Sequence, residues 1–90
     1  MMKNHPPNPT PEVARRIETL LHELLHGLGI NPNDLQPQEI AANMVCQIGE
    51  DNSMLYSWKG QPILHIVPEI KDNGGERSVL WRMFTADDEL

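Results

Sequence analysis

Apolar residues recur at three- and four-residue steps in the first third of the chain. Thr10 suits the N-cap of a helix, and Pro11 suits its first helical position because the N–H that proline lacks would be unpaired there. Gly27 and Gly29 supply a C-terminal stop. The spacing predicts an amphipathic helix to about residue 28 whose apolar stripe consists of Val13, Ile17, Leu20, Leu21, Leu24 and Leu28.

A second helix start follows a turn at residues 31–34. Pro37 again suits the first helical position, Leu35 can contact Ile40 across the helix start, and Gly49 suits the end. This pattern predicts a helix from about residue 37 to residue 48, with Cys46 on its polar side. Its apolar face consists of Ile40, Ala41, Met44, Val45 and Ile48.

From Ser53 onwards the pattern becomes typical of strands. Residues 53–59, 62–70 and 78–85 carry β-branched and aromatic side chains, and turn-forming residues separate them at 59–60 and 71–76. We therefore predict one α+β domain over residues 10–85, in which two N-terminal helices pack on one face of a three-stranded antiparallel β-meander. Residues 1–9 are predicted to form a disordered proline-rich tail, and residues 86–90 an acidic, frayed C-terminus.

The predicted sheet has more apolar surface than two helices can cover. If Lys59 and Gly60 form a two-residue turn, one face carries Met54, Tyr56, Trp58, Ile63, His65 and Val67. The third strand adds either Leu80, Arg82 and Phe84 or Val79, Trp81 and Met83, depending on the number of residues in the second turn. The sequence predicts a binding interface made from Met54, Tyr56, Trp58, His65, Trp81 and Arg82, unless the tail or a loop covers that face.

Composition limits the classes of function. A chain of 90 residues has room for one domain, and its net charge of -6 disfavours binding to nucleic acid phosphates. Cys46 is the only cysteine, so no intramolecular disulfide can form, and a reducing, cytoplasmic location is expected. No apolar run is long enough for a membrane span, and the N-terminus does not look like a signal peptide.

One short motif carries potential chemistry. Residues 22–26 read His-Glu-Leu-Leu-His, the H-E-x-x-H pattern in which two histidines one turn apart bind zinc and the glutamate activates water. With Gly29 the string resembles the metzincin proteases, whose third histidine would fall at Pro32, a residue that cannot coordinate metal. Helical geometry also places His22 and His26 away from the apolar stripe, so both should face water.

These observations favour a non-catalytic protein-interaction module, a small regulator, adaptor or inhibitor that needs no cofactor. It would bind a protein partner or a second copy of itself, as a homodimer, through a sheet face or edge. Two alternatives remain open. One is a minimal zinc hydrolase using His22, Glu23 and His26 with Asp34 or a partner's residue as third ligand, and the other is an acidic decoy of a nucleic-acid-binding protein.

Overall fold

A computed structural model describes residues 7–86, and over this range the chain forms two α-helices, one short 3-10 helix and a single four-stranded sheet. Neighbouring strands follow each other along the chain and are all antiparallel. The predicted α+β class is therefore confirmed, with four strands instead of three. The elements are α1 (Pro11–Gly27), the 3-10 helix (Pro32–Asp34), α2 (Pro37–Asn43), β1 (Met44–Ile48), β2 (Met54–Trp58), β3 (Gln61–Asn73) and β4 (Glu76–Thr85).

Helix α1 begins and ends as its sequence predicts. The Val13 N–H donates to the Thr10 hydroxyl at 3.3 Å, which satisfies one of the free donors of the first turn. At the other end, the Ile30 N–H donates to the Leu25 carbonyl at 2.9 Å, and Gly29 adopts φ +82°. This left-handed glycine with a bond reaching back across the last turn is a Schellman motif, and it turns the chain back toward the sheet.

The face that α1 presents to the sheet differs slightly from the predicted stripe. Ile17 and Leu25 are its buried residues, and Val13, Leu20, Leu21 and Leu24 pack around them partly buried. Leu25 is 3% exposed, whereas Leu28 is 47% exposed. Leu28 lies after the last helical residue and therefore leaves the stripe, while the Schellman turn brings Ile30 back onto the core.

The second predicted helix is shorter than the sequence predicts, because only its first half is helical. Helix α2 ends at Asn43, and Met44, Val45 and Ile48, which were predicted on its apolar face, instead form strand β1. Cys46, predicted on the polar side of that helix, is an exposed residue of the same strand. The short apolar run is compatible with either a helix or a strand, and it forms a strand because β2 is available to pair with one of its edges.

A bulge fixes the register between β2 and β3. Lys59 and Gly60 form the predicted two-residue turn, so Trp58 pairs with Gln61 and Ser57 with Pro62. The ladder then shifts, and Tyr56 pairs with Leu64 instead of the predicted Ile63. The extra residue places Leu64 and Ile66 on the face of Tyr56 and moves His65 and Val67 to the opposite face.

Strands β3 and β4 are longer than predicted and extend past the rest of the sheet. They pair from Leu64 with Thr85 to Asn73 with Glu76, and only two glycines, at residues 74 and 75, connect them. Because Met54 at the start of β2 already pairs with Ile66, the residues beyond form a two-stranded arm. The two-residue turn places Val79, Trp81 and Met83 on the face of Leu64 and Ile66.

Residues 7–10 precede α1 without regular secondary structure and contact the turn between β1 and β2. The Asn52 side-chain amide donates to the Pro7 carbonyl at 2.7 Å and to the Asn8 side-chain oxygen at 3.1 Å. The rest of the predicted tail, residues 1–6, and most of the predicted acidic end, residues 87–90, lie outside the described residues. Neither helix in residues 7–86 combines the length and apolarity that a membrane crossing requires.

Candidate functional site

The two faces of the sheet have different environments. One face, called here the helix side, lies under α1 and contains the core. Its residues Leu64 and Ile66 are fully buried, and the other buried members on the sheet are Met54, Trp58, Ile63 and Trp81. The helix supplies Ile17 and Leu25 to the same cluster, so the helix side is the interior of the molecule.

The predicted interface residues do not share one face. Met54, Trp58 and Trp81 lie on the helix side and are at most 9% exposed, and half-buried Tyr56 packs against the same core. His65 and Arg82 lie on the opposite face, because the bulge shifted the register by one residue. Of the four residues on the helix side, three are core residues and Tyr56 packs against them, so only His65 and Arg82 lie on the other face.

The opposite face carries apolar side chains that belong neither to the core cluster nor to the residues packed against it. We call it the open face and define it by Val45, Leu55, Val67, Leu80 and Phe84, one or more from each strand. Val45 and Leu80 are exposed, and the other three are half-buried by their neighbours on the sheet. This arrangement leaves an apolar patch spanning all four strands, which is the composition expected of a binding surface.

Charged residues border the open face where β3 and β4 form the arm. The Glu69 carboxylate accepts a hydrogen bond from the Arg82 Nε–H and lies 3.8 Å from the Lys71 ammonium. All three side chains lie on the face of Val67 and Leu80. His65, another ionisable residue of this face, is half-buried between Leu55 and Phe84 in the ladder. The face therefore combines an apolar centre with a polar end, as protein interfaces do.

The described part of the tail does not lie on the open face. Pro7 lines a shallow depression together with Ile70, Arg77 and Val79. Ile70 and Val79 pair with each other and share the helix side with Ile66 and Trp81. The sequence left open whether the tail covers the second face of the sheet. Residues 7–10 do not cover the open face.

The structure places the three polar residues of the zinc-protease-like string on the outside of α1, and Leu25 of the same string in the core. His22, Glu23 and His26 are all exposed, in agreement with the predicted orientation of the two histidines. Pro32 begins the 3-10 helix, and Asp34 is its exposed last residue. Among residues 7–86, no group of three or more His, Cys, Asp or Glu side chains is positioned to hold a metal ion.

Cys46 and Tyr56 face each other across β1 and β2, on the helix side of the sheet. The Cys46 side chain is exposed at the edge, and Tyr56 is half-buried. Burial, reinforced by the adjacent Cys46 thiol, raises the pKa of Tyr56 to about 12. The pair places no histidine beside the thiol, since the cross-strand neighbour of Cys46 is the tyrosine.

A depression with a volume of about 330 Å³ lies between α1 and β4. Most of its lining comes from the polar side of the helix, and Met83 is the contribution of the strand. Its residues are Arg15, Arg16, Thr19, Leu20, Glu23 and Met83. Its charged groups are the Arg15 and Arg16 guanidinium groups and the Glu23 carboxylate.

Compared with known proteins, the chain matches no family model, no curated protein and no solved structure at a significant level. Its function is therefore argued from its own residues.

Proposed function

We propose that this protein is a non-catalytic protein-binding module that uses the open face of its sheet. The observation that supports the proposal is the set of apolar side chains Val45, Leu55, Val67, Leu80 and Phe84, which lie on the face opposite the core cluster and are not part of it. Antiparallel sheets often leave one face in water, but such a face is normally polar. Here the open face carries five apolar side chains among its polar ones, and two of them, Val45 and Leu80, are exposed, which favours burial by a partner.

The partner that fits this face is a protein presenting an amphipathic helix. On the helix side, the apolar stripe of α1 buries apolar residues of β2, β3 and β4. A helix laid on the open face would bury Leu55, Val67 and Phe84 in the same manner. The polar side of the partner helix would contact Glu69, Lys71 and Arg82 at the arm. Because these charges lie at one end of the open face, they would orient the bound helix along the sheet.

We place this binding in the cytoplasm. The single thiol of Cys46 is exposed, which is compatible with a compartment that keeps cysteines reduced. The role would be that of a small regulator, adaptor or inhibitor, because the proposed surface binds without performing chemistry.

Adjacent residues on β4 provide the test. Leu80 lies on the open face and is 47% exposed, and Val79 lies on the helix side of the arm and is 39% exposed. We would capture partners from the native cell with the tagged wild type and with the variants Leu80→Glu and Val79→Glu. The proposal expects one protein that binds the wild type and Val79→Glu directly after purification but binds Leu80→Glu at least about tenfold more weakly.

Two results would contradict the proposal. If the purified partner bound both variants as well as the wild type, the open face would not be the binding surface. If both substitutions weakened binding equally while circular dichroism showed folded protein, the contact would lie elsewhere on the arm.

A further inference from the structure

Strand β1 forms a free edge of the sheet that carries exposed apolar side chains and no charge. It is an edge of the sheet, since β1 pairs with β2 alone. Val45, which points to the open face, is 51% exposed, and Ile48, which points to the helix side, is 69% exposed. Strand edges in proteins usually carry charges, prolines or bulges that block pairing with another chain. Residues 44–48, Met-Val-Cys-Gln-Ile, contain no charged residue and no proline.

The hydrogen-bond pattern shows which backbone groups point outward. The Lys59 N–H donates to the Asn43 carbonyl at 2.8 Å, and the Gly49 N–H donates to the Ser53 carbonyl at 2.8 Å. Because bonding alternates along an antiparallel ladder, residues 45 and 47 also bond inward to β2. The N–H and C=O groups of Cys46 and Ile48 and the Met44 C=O therefore face the free edge.

These groups complement a second copy of the same strand. The Met44 N–H is already used, because it donates to the Ile40 carbonyl at the end of α2. In an antiparallel pair centred on Cys46, the two Cys46 residues would exchange N–H···O=C bonds. Each Ile48 N–H would then donate to the Met44 C=O of the other copy, so every outward donor and acceptor in this set but the Ile48 C=O is paired.

The distribution of charge also permits a second copy at this edge. The chain carries a net charge of -6, so two copies repel each other over most of their surface. The run from residue 40 to residue 49 contains no Asp, Glu, Lys or Arg. Two copies that meet along β1 therefore place an uncharged strip against an uncharged strip.

From this geometry we infer that the protein forms a twofold dimer in which the β1 strands of two copies pair antiparallel about Cys46. The two sheets become one continuous eight-stranded sheet, and Met44 of each copy packs beside Ile48 of the other on the helix side. The inference does not depend on the proposed function, since the contact is made by backbone groups of residues 44, 46 and 48, and Val45 is the one β1 residue that also belongs to the open face.

Charges introduced at the centre of the contact test the dimer. We would measure sedimentation equilibrium of the wild type, Cys46→Asp, Cys46→Lys and the neutral control Cys46→Ser. The wild type and Cys46→Ser should reach twice the 10.2 kDa mass of one chain. Each charged variant alone should associate about tenfold more weakly or worse, because the twofold axis places like charges opposite each other. An equimolar mixture of the two charged variants should restore the dimer.

Rescue by mixing separates loss of the contact from loss of folding. If Cys46→Asp fails to fold beside Tyr56, Ile48→Lys tests the same contact at a more exposed side chain, and it should also produce a monomer. A wild type that stays monomeric at all concentrations overturns the inference. So does a dimer that is insensitive to both charged variants at residue 46 but is lost in Leu80→Glu, because the open face would then form the contact.

Discussion

Tyr56 on β2 pairs with Leu64 on β3, although its neighbour Ser57 pairs with Pro62. The skipped residue, Ile63, is 4% exposed, and Leu64 is fully buried. The bulge therefore brings two consecutive apolar residues into the core, which a regular strand cannot do. Every assignment of a residue to the helix side or the open face depends on this shift.

Trp81 and Leu80 test that assignment, because they are neighbours on β4 that point to opposite faces. Trp81→Ala should lower the free energy of unfolding by about 3–5 kcal/mol, since it empties a core position. Leu80→Ala should cost less than about 1 kcal/mol, because its side chain already contacts solvent. Urea denaturation of both variants measures the difference. Equal losses would mean that the β3–β4 register is different.

Leu25 and His26 provide a similar pair on α1. Leu25→Ala should destabilise the fold by about 2–5 kcal/mol, because this residue is the buried C-terminal contact of the helix. His26→Ala, at an exposed position, should change stability by no more than about 0.5 kcal/mol. Thermal melts of the two variants compare their losses of stability. A larger loss for His26→Ala would show that the helix is rotated.

Gly49 is expected to resist substitution for a steric reason. A Cβ atom built on Gly49 would lie 2.6 Å from the Ser53 hydroxyl oxygen, in the turn where Ser53 also bonds Asp51. Gly49→Ala should therefore destabilise the protein by about 1–2 kcal/mol. At Gly27 in the last turn of α1 nothing lies within 4 Å of an added Cβ, so Gly27→Ala should be neutral or stabilising. Chemical denaturation measures the free energy of unfolding of both variants. Equal values would show that the Ser53 side chain rotates away from the added Cβ.

Tyr56 predicts a loss of stability at high pH. Its pKa is raised to about 12 in the folded protein from an ordinary value of 10.0, so the folded state keeps its proton longer than the unfolded state. The stabilisation is fully present below pH 10 and is lost as pH rises toward 12. Tyr56 is the only tyrosine, so ultraviolet absorbance of the phenolate follows this group alone.

Cys46→Ser is the control for this titration. Burial is the larger cause of the shift and the Cys46 neighbour the smaller, so the pKa of Tyr56 should fall in the variant but stay above 10. A native protein whose tyrosine titrates near its ordinary value would contradict the half-buried position on the helix side.

Local rules in the sequence determined a large part of this fold. The Thr10 cap, Pro11, and the stop at Gly29 fixed α1 within a residue or two, because capping is a contact between residues close in the chain. The Lys59-Gly60 turn was predicted for the same reason. The exposed positions of His22 and His26 followed from the helical period alone.

Tertiary structure decided what no local rule could. Residues 44–48 became an edge strand because β2 was available for pairing, and the short apolar run by itself is compatible with either a helix or a strand. The bulge at Ile63 placed Leu64 and Ile66, instead of His65 and Val67, on the face of Met54 and Trp58, so His65 and Arg82 lie on the other face. A strand's side chains alternate with period two, so a shift of one residue in pairing reassigns every residue beyond it, and that shift depends on contacts across the sheet.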